Sequence, residues 1–241
     1  MWDVCFYLLI GLLVFFGFTV RVITGFGSTM ILAPIIALFL EPKYTVVFVI
    51  LLESAMGVLF IVKEKLRFDV KPIFVGGFFG IIAGIVLFGL LSQRLVGLII
   101  GVSVLTFSVL FLLNITFRTE KEGLFFTTLG FLSGSMGVLT GINGPQIVLG
   151  LVNQGCDSNF IRQSMITYLI LIDFVTLASF SILGYVTANV LRLLVYSIPF
   201  LICSYVVGTH VLRFINPEKL KRLMLITTLF AGLLAIWNFI P

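Results

Sequence analysis

The chain has 241 residues, of which 60% are hydrophobic and only 10% charged. A soluble domain of this size would carry about 25% charged residues, so a water-soluble fold is excluded. The formal net charge of +5 sits mostly in two loops, a pattern that sets membrane topology and does not point to nucleic acid.

Taken in order, the apolar segments cover residues 4–20, 22–40, 44–62, 72–91, 95–117, 123–139, 140–152, 164–183, 190–209 and 223–240. They are continuous and do not alternate at period two, which excludes a membrane β-barrel. The predicted fold is an all-α polytopic membrane protein. The first segment lacks a basic leader and a small-residue cleavage site, so it is expected to be a retained helix. Arg21 is expected to separate the first two segments, and Glu41-Pro42-Lys43 to make a tight turn.

Two segments resist an unbroken helix. In the first, Ile23-Thr24-Gly25-Phe26-Gly27-Ser28-Thr29 leads to Ala33-Pro34. Each glycine costs about 1 kcal/mol in a helix interior. Pro34 removes a donor, and Ser28 and Thr29 are candidate caps for a new helix. In the second, Leu139-Thr140-Gly141-Ile142-Asn143-Gly144-Pro145-Gln146 repeats the layout half a chain later. Matching breaks in two halves of a membrane chain point to a transporter's binding site.

The halves align: Ile23-Thr24-Gly25 on Leu139-Thr140-Gly141, Gly89 on Gly208, Asn114 on Asn238. The expected organisation is a first repeat over 1–117, a connecting loop over 118–122 and a second repeat over 123–241. The strongly basic loops are 63–71 and 210–222, the latter with Arg213, Lys219, Lys221 and Arg222. Placing both in the cytoplasm gives each half an odd number of crossings. The repeats are then pseudo-symmetric and inverted, with 118–122 and 153–163 inside and both termini outside. The glycine series 76/80/84, 97/101 and 130/134 reads as close helix packing.

The candidate site follows from these breaks. Helix N-termini attract anions, so Thr24, Gly25, Gly27, Ser28 and Thr29 are expected to bind substrate together with Thr140, Gly141, Asn143, Gly144 and Gln146. In inverted halves the two helix starts approach one another from opposite sides. Glu53 and Asp173 each place a carboxylate mid-helix, where a charge costs roughly 2.5–3.5 kcal/mol on insertion scales. One reading is proton coupling or gating; the other is a hydrogen bond to a broken helix. Arg21 and Arg162 either line an anion vestibule or serve as interfacial charges. Cys5, Cys156 and Cys203 show no C-x-x-C spacing, and with one histidine in the chain no metal site is expected. His210 is expected at the interface.

Those motifs, Thr24-Gly25-Phe26-Gly27-Ser28 to Ala33-Pro34 and Thr140-Gly141-Ile142-Asn143-Gly144-Pro145, resemble the sulfite exporter TauE/SafE family over nearly the whole chain. Asn143 stands in a glycine place of the family pattern, and Gly150 where the first half has Pro34. The resemblance implies transport of sulfur-containing anions such as sulfite, sulfoacetate or other organosulfonates, without a cofactor. The expected function is therefore a secondary anion transporter of the cell inner (plasma) membrane, proton-coupled and working by alternating access. A passive anion channel and an intramembrane sulfur-transfer protein using Cys156 are the alternatives. The expected partners are a small anionic substrate and membrane lipid.

Overall fold

The computed structural model describes residues 4–63, 71–113, 122–211 and 217–240. These form ten helices: α1 (Val4–Thr24), α2 (Ser28–Ile36), α3 (Pro42–Lys63), α4 (Lys71–Leu90), α5 (Gln93–Leu113), α6 (Glu122–Thr140), α7 (Pro145–Asn153), α8 (Ser158–Ile182), α9 (Ala188–Val211) and α10 (Pro217–Phe239). Seven of them, α1, α3, α4, α5, α6, α8 and α9, are long and apolar enough to cross a membrane. Helices α2 and α7 have nine residues each. At 1.5 Å per residue they reach about 14 Å, half of a hydrocarbon core of about 30 Å. The charges of 64–70, Asn114, the connection over 118–121, Arg213 and the side chains of Lys219, Lys221 and Arg222 lie outside the described residues.

Two expectations are corrected. Arg21 does not separate two segments, because α1 runs through it to Thr24. The charge is neutralised inside the protein, so the helix has no need to end there. Pro34 lies inside α2, which stops two residues later at Ile36. A proline so near the end of a short helix disturbs little that follows it.

Each short helix folds back along the one before it. A Cβ at Gly17 of α1 would meet the Leu32 side chain of α2. At Gly150 of α7 it would meet Leu129 of α6. Gln93 joins the start of α5 to Glu41 and to the Lys43 amide, and Arg94 bonds the Phe239 carbonyl. Tyr7 stacks on Tyr196. These contacts gather the starts of α1, α3, α5 and α9 and the end of α10 at one end of the bundle. At the other end, Pro72, Glu122, Gln154 and Cys156 line a shared cavity of about 360 Å³. The end of α7 thus returns to the end from which α6 started.

The long helices pack in pairs, most extensively α4 with α6, then α1 with α9 and α5 with α10, and α3 with α8. Small residues let α4 and α6 touch backbone to backbone. A Cβ at Gly80 would collide with the Phe131 carbonyl, and one at Gly134 with the Gly77 carbonyl. Without a hydrophobic drive between helices in lipid, such close approach supplies the dispersion contact that holds them. Within the buried contact of α5 and α10, Ser108 and Thr228 share a hydrogen bond of 2.8 Å.

Candidate functional site

The two breaks are built alike. The Thr24 hydroxyl shares its proton between the Phe26 carbonyl (2.6 Å) and the Val20 carbonyl (2.9 Å) and accepts from the Phe26 amide. The Thr140 hydroxyl donates to Met136 (2.7 Å) and accepts from the Ile142 amide. Each threonine thus uses its side chain to complete the last helical turn and hold the first loop amide. The glycine that follows closes the helix, with Gly25 donating to the Arg21 carbonyl and Gly141 to the Gly137 carbonyl. Both glycines adopt positive φ, 86° and 74°, a conformation in which other L-residues are strained. Gly27 does the same at 97°.

The new helices then start without a side-chain cap. The expectation that Ser28 and Thr29 cap α2 is corrected: its N-cap is Gly27, and the Ser28 hydroxyl is committed to the Glu53 carboxylate of α3. At α7 the N-cap is Gly144 in a right-handed conformation, with Pro145 at the first position. Proline fits there because its missing donor would be unpaired anyway. At α7 the Ile147 and Val148 amides turn back to the Gly144 carbonyl (3.1 Å each) and Pro145 has no N–H, so Gln146 carries the first-turn amide without such an acceptor. Helix starts of this kind carry a partial positive charge.

The tips come together in the interior. A Cβ at Gly144 would stand 3.2 Å from the Phe26 Cβ, with the Met165 methyl 3.5 Å away. Phe26 also packs on Phe111 of α5, ring centroids 5.7 Å apart. Of the ten residues expected to bind substrate, all but Thr24 are buried.

The mid-helix carboxylates each hold one tip, by different means. Glu53 accepts from Ser28 and forms an ion pair with Arg21. Arg21 has no exposed surface and is enclosed in the core. Its guanidinium lies 5.9 Å from the Phe18 ring centroid and 5.8 Å from that of Phe60. Asp173 accepts from the Asn143 side-chain amide at 2.6 Å. Its other oxygen, Oδ2, has no hydrogen-bond partner among the described residues. Arg162 is half-buried and lies against the first tip: it donates to the Val22 carbonyl at the end of α1 (3.3 Å), and a Cβ at Gly25 would come within 3.1 Å of its side chain. Gln146 donates weakly to Ile142 and borders an apolar cavity of about 340 Å³ between α5, α6 and α7.

Two contributors escaped the sequence reading. The Tyr168 hydroxyl donates to Ser133 (2.9 Å), and Ser133 donates to the Asn143 carbonyl. Asn143 is therefore held through its main chain by α6 and through its side chain by α8. The available signal was a hydroxyl inside an apolar helix, which in lipid needs a partner, but α6 and α8 each carry several and nothing local singles these two out.

With its paired breaks in view, the chain was compared with known proteins. The family model described as "Sulfite exporter TauE/SafE" matches residues 9–235. The chain belongs to the sulfite exporter TauE/SafE family. No curated protein and no solved structure matches it. As a TauE/SafE protein it is a multi-pass membrane transporter and not an enzyme, which sets aside sulfur-transfer chemistry at Cys156. Cys156 itself lies between α7 and α8, away from the tips. Burial, with Asp157 and Glu122 nearby, pushes its thiol up from the ordinary value. Among the described residues no group of His, Cys, Asp and Glu is arranged to hold a metal.

Proposed function

We propose that this TauE/SafE transporter carries small sulfur-containing oxyanions, such as sulfite, sulfoacetate or other organosulfonates, across the plasma membrane. The anion binds between the two tips, at the starts of α2 and α7 that no side chain caps, with Thr24, Gly25, Gly27, Ser28 and Thr29 on one side. Thr140, Gly141, Asn143, Gly144 and Gln146 complete the site. The observation that carries this reading is the contact of Phe26 with Gly144, which brings two independent helix starts to one place. Two such ends stabilise an anion without a full positive charge in contact with it.

Transport proceeds by alternating access, in which one half rocks against the other. Burial of nearly all tip residues favours this over an open channel. The halves are inverted repeats, 1–117 and 123–241, joined by 118–122. Exchanging α1–α5 with α6–α10 supports this. It turns the α4–α6 pairing into α9–α1, and it returns α5–α10 and α3–α8 to themselves. Glu53 and Asp173 supply proton coupling or gating, and Arg162 faces the approach to the first tip.

Proteoliposomes holding the purified protein test the reading. Labelled sulfite or sulfoacetate should accumulate under an imposed proton gradient and stop doing so with a protonophore. Replacement of Gly144 by Trp should abolish flux with expression unchanged. Full flux through that variant rules out a site at the tips.

A further inference from the structure

The two carboxylates are not equivalent, and the difference assigns one of them a task. Glu53 is neutralised by a contacting guanidinium and bonded by a hydroxyl. Asp173 is completely buried, has one neutral donor on Oδ1 and has nothing on Oδ2. The charged group that acts on it is Arg21 of α1, which interacts with it electrostatically while pairing with Glu53 of α3. The hydroxyl of Tyr168 lies on its own helix. Helix α4 brings only Lys71, at its first residue, and α7 brings no titratable group.

We infer that Asp173 alone carries the transported proton, and that it controls the anion site through the Asn143 side chain. This rests on the reading of the tips as the anion site. With all three groups ionised, the core around Arg21, Glu53 and Asp173 holds one net negative charge. A bound anion would add a second in a medium of low dielectric constant. A proton taken up on Oδ2 as the anion arrives leaves the net charge unchanged. The same proton weakens Oδ1 as an acceptor, because a charged acceptor binds a donor about twice as strongly as a neutral one. The Asn143 N–H is then released to the anion beside the opening of α7. Ser133 and Tyr168 hold the Asn143 main chain, so only its amide group turns. Proton and anion therefore bind together, each tightening the other by the same factor. Glu53 cannot do this, since a proton there would strand Arg21.

Calorimetry on the purified protein in detergent tests the inference, with methanesulfonate and sulfoacetate as probes because neither changes charge near neutral pH. Titration in two buffers of different ionisation enthalpy should show one proton taken up per anion. Affinity should fall about tenfold for each pH unit above the midpoint. Asp173→Asn should bind the probes with no proton uptake and at a pH-independent affinity matching the wild-type protein at low pH. Asn143→Ala keeps the carboxylate but removes the amide it acts through, so its binding should be weak at every pH. Tyr168→Phe, a positioning change, should lower affinity with the proton count unchanged. Wild-type binding without proton uptake, or a pH-dependent Asp173→Asn, overturns the inference and leaves the anion site standing. Failure of the wild-type protein to bind either probe overturns the anion site itself.

Discussion

The first and second tips share a Thr-Gly closure, yet one is anchored by an ion pair and the other by an amide. At the first tip, Ser28 binds a carboxylate whose charge is balanced by Arg21. At the second, Asn143 binds a carboxylate with no cation in contact. The lesson is that equal backbone geometry does not imply equal electrostatic work. An ion pair buried among Phe18, Phe60 and α3 is costly to disturb, whereas a neutral amide on a carboxylate can be made and released. On the proposed reading the first tip stays and the second changes.

The largest expected effect tests that contrast directly. Arg21→Met or Glu53→Gln leaves one uncompensated buried charge or donor set, and breaking such a pair costs about 3–5 kcal/mol. The double variant Arg21→Met/Glu53→Gln should recover most of that, since it removes both charges and keeps an acceptor for the Ser28 hydroxyl. Asp173→Asn keeps an acceptor for Asn143 and should cost about 1 kcal/mol or less. Denaturant unfolding in mixed micelles measures all four, and equal losses at Glu53 and Asp173 would erase the distinction between the tips. Next in size is Asn143→Ala, which leaves Asp173 buried without its donor and should cost about 1–3 kcal/mol.

The glycines sharpen the comparison at the level of the backbone. Gly25 has φ 86° and lies against Arg162, so Gly25→Ala forces a left-handed conformation on an L-residue. That costs about 1–2 kcal/mol. Gly144 has φ −81° and ψ −48°, open to any residue. Gly144→Ala therefore asks only that Phe26 yield by a few tenths of an ångström from 3.2 Å. Paired unfolding curves should show the first variant clearly the weaker.

Much of this was legible in the sequence because its cause is local. Thr-Gly at the end of an apolar run announces a closed helix end, and it recurs at 24–25 and 140–141. A lone carboxylate mid-helix announces a buried partner, and both found one at a break: Glu53 on Ser28 at the start of α2, Asp173 on Asn143 in the link before α7. The identity of partners was not legible. Arg21 reads as a vestibule or interfacial charge because nothing local says that a residue 32 positions away will neutralise it. Ser28 looked like a cap because the competing carboxylate belongs to α3. Tyr168 and Ser133 drew no notice, since their contact joins residues 35 apart across α8 and α6. Local backbone chemistry is written in neighbours, whereas tertiary electrostatics is written in packing. A smaller effect follows from that same pair: Tyr168→Phe removes one hydrogen bond that holds the second tip, for a loss of about 0.5–1.5 kcal/mol.

The smallest effect is expected where the two hairpins leave their tips behind. The first returns through the turn Ala37–Leu40 to Glu41, the second through Gln154 and Gly155 to Cys156. A thiol reacts as the thiolate, and here burial and the charges of Asp157 and Glu122 disfavour it. A group whose folded-state value is raised is more fully protonated at neutral pH than a free cysteine. Maleimide labelling of Cys156 in the folded protein should therefore be slow at neutral pH and accelerate only in more alkaline buffer than a free thiol requires. Cys156→Ala should leave both flux and unfolding midpoint unchanged. A flux defect in that variant would mean that the end of the second hairpin takes part in transport, and the contrast between an inert exit and an active tip would then fail on the side of the molecule where it is now sharpest.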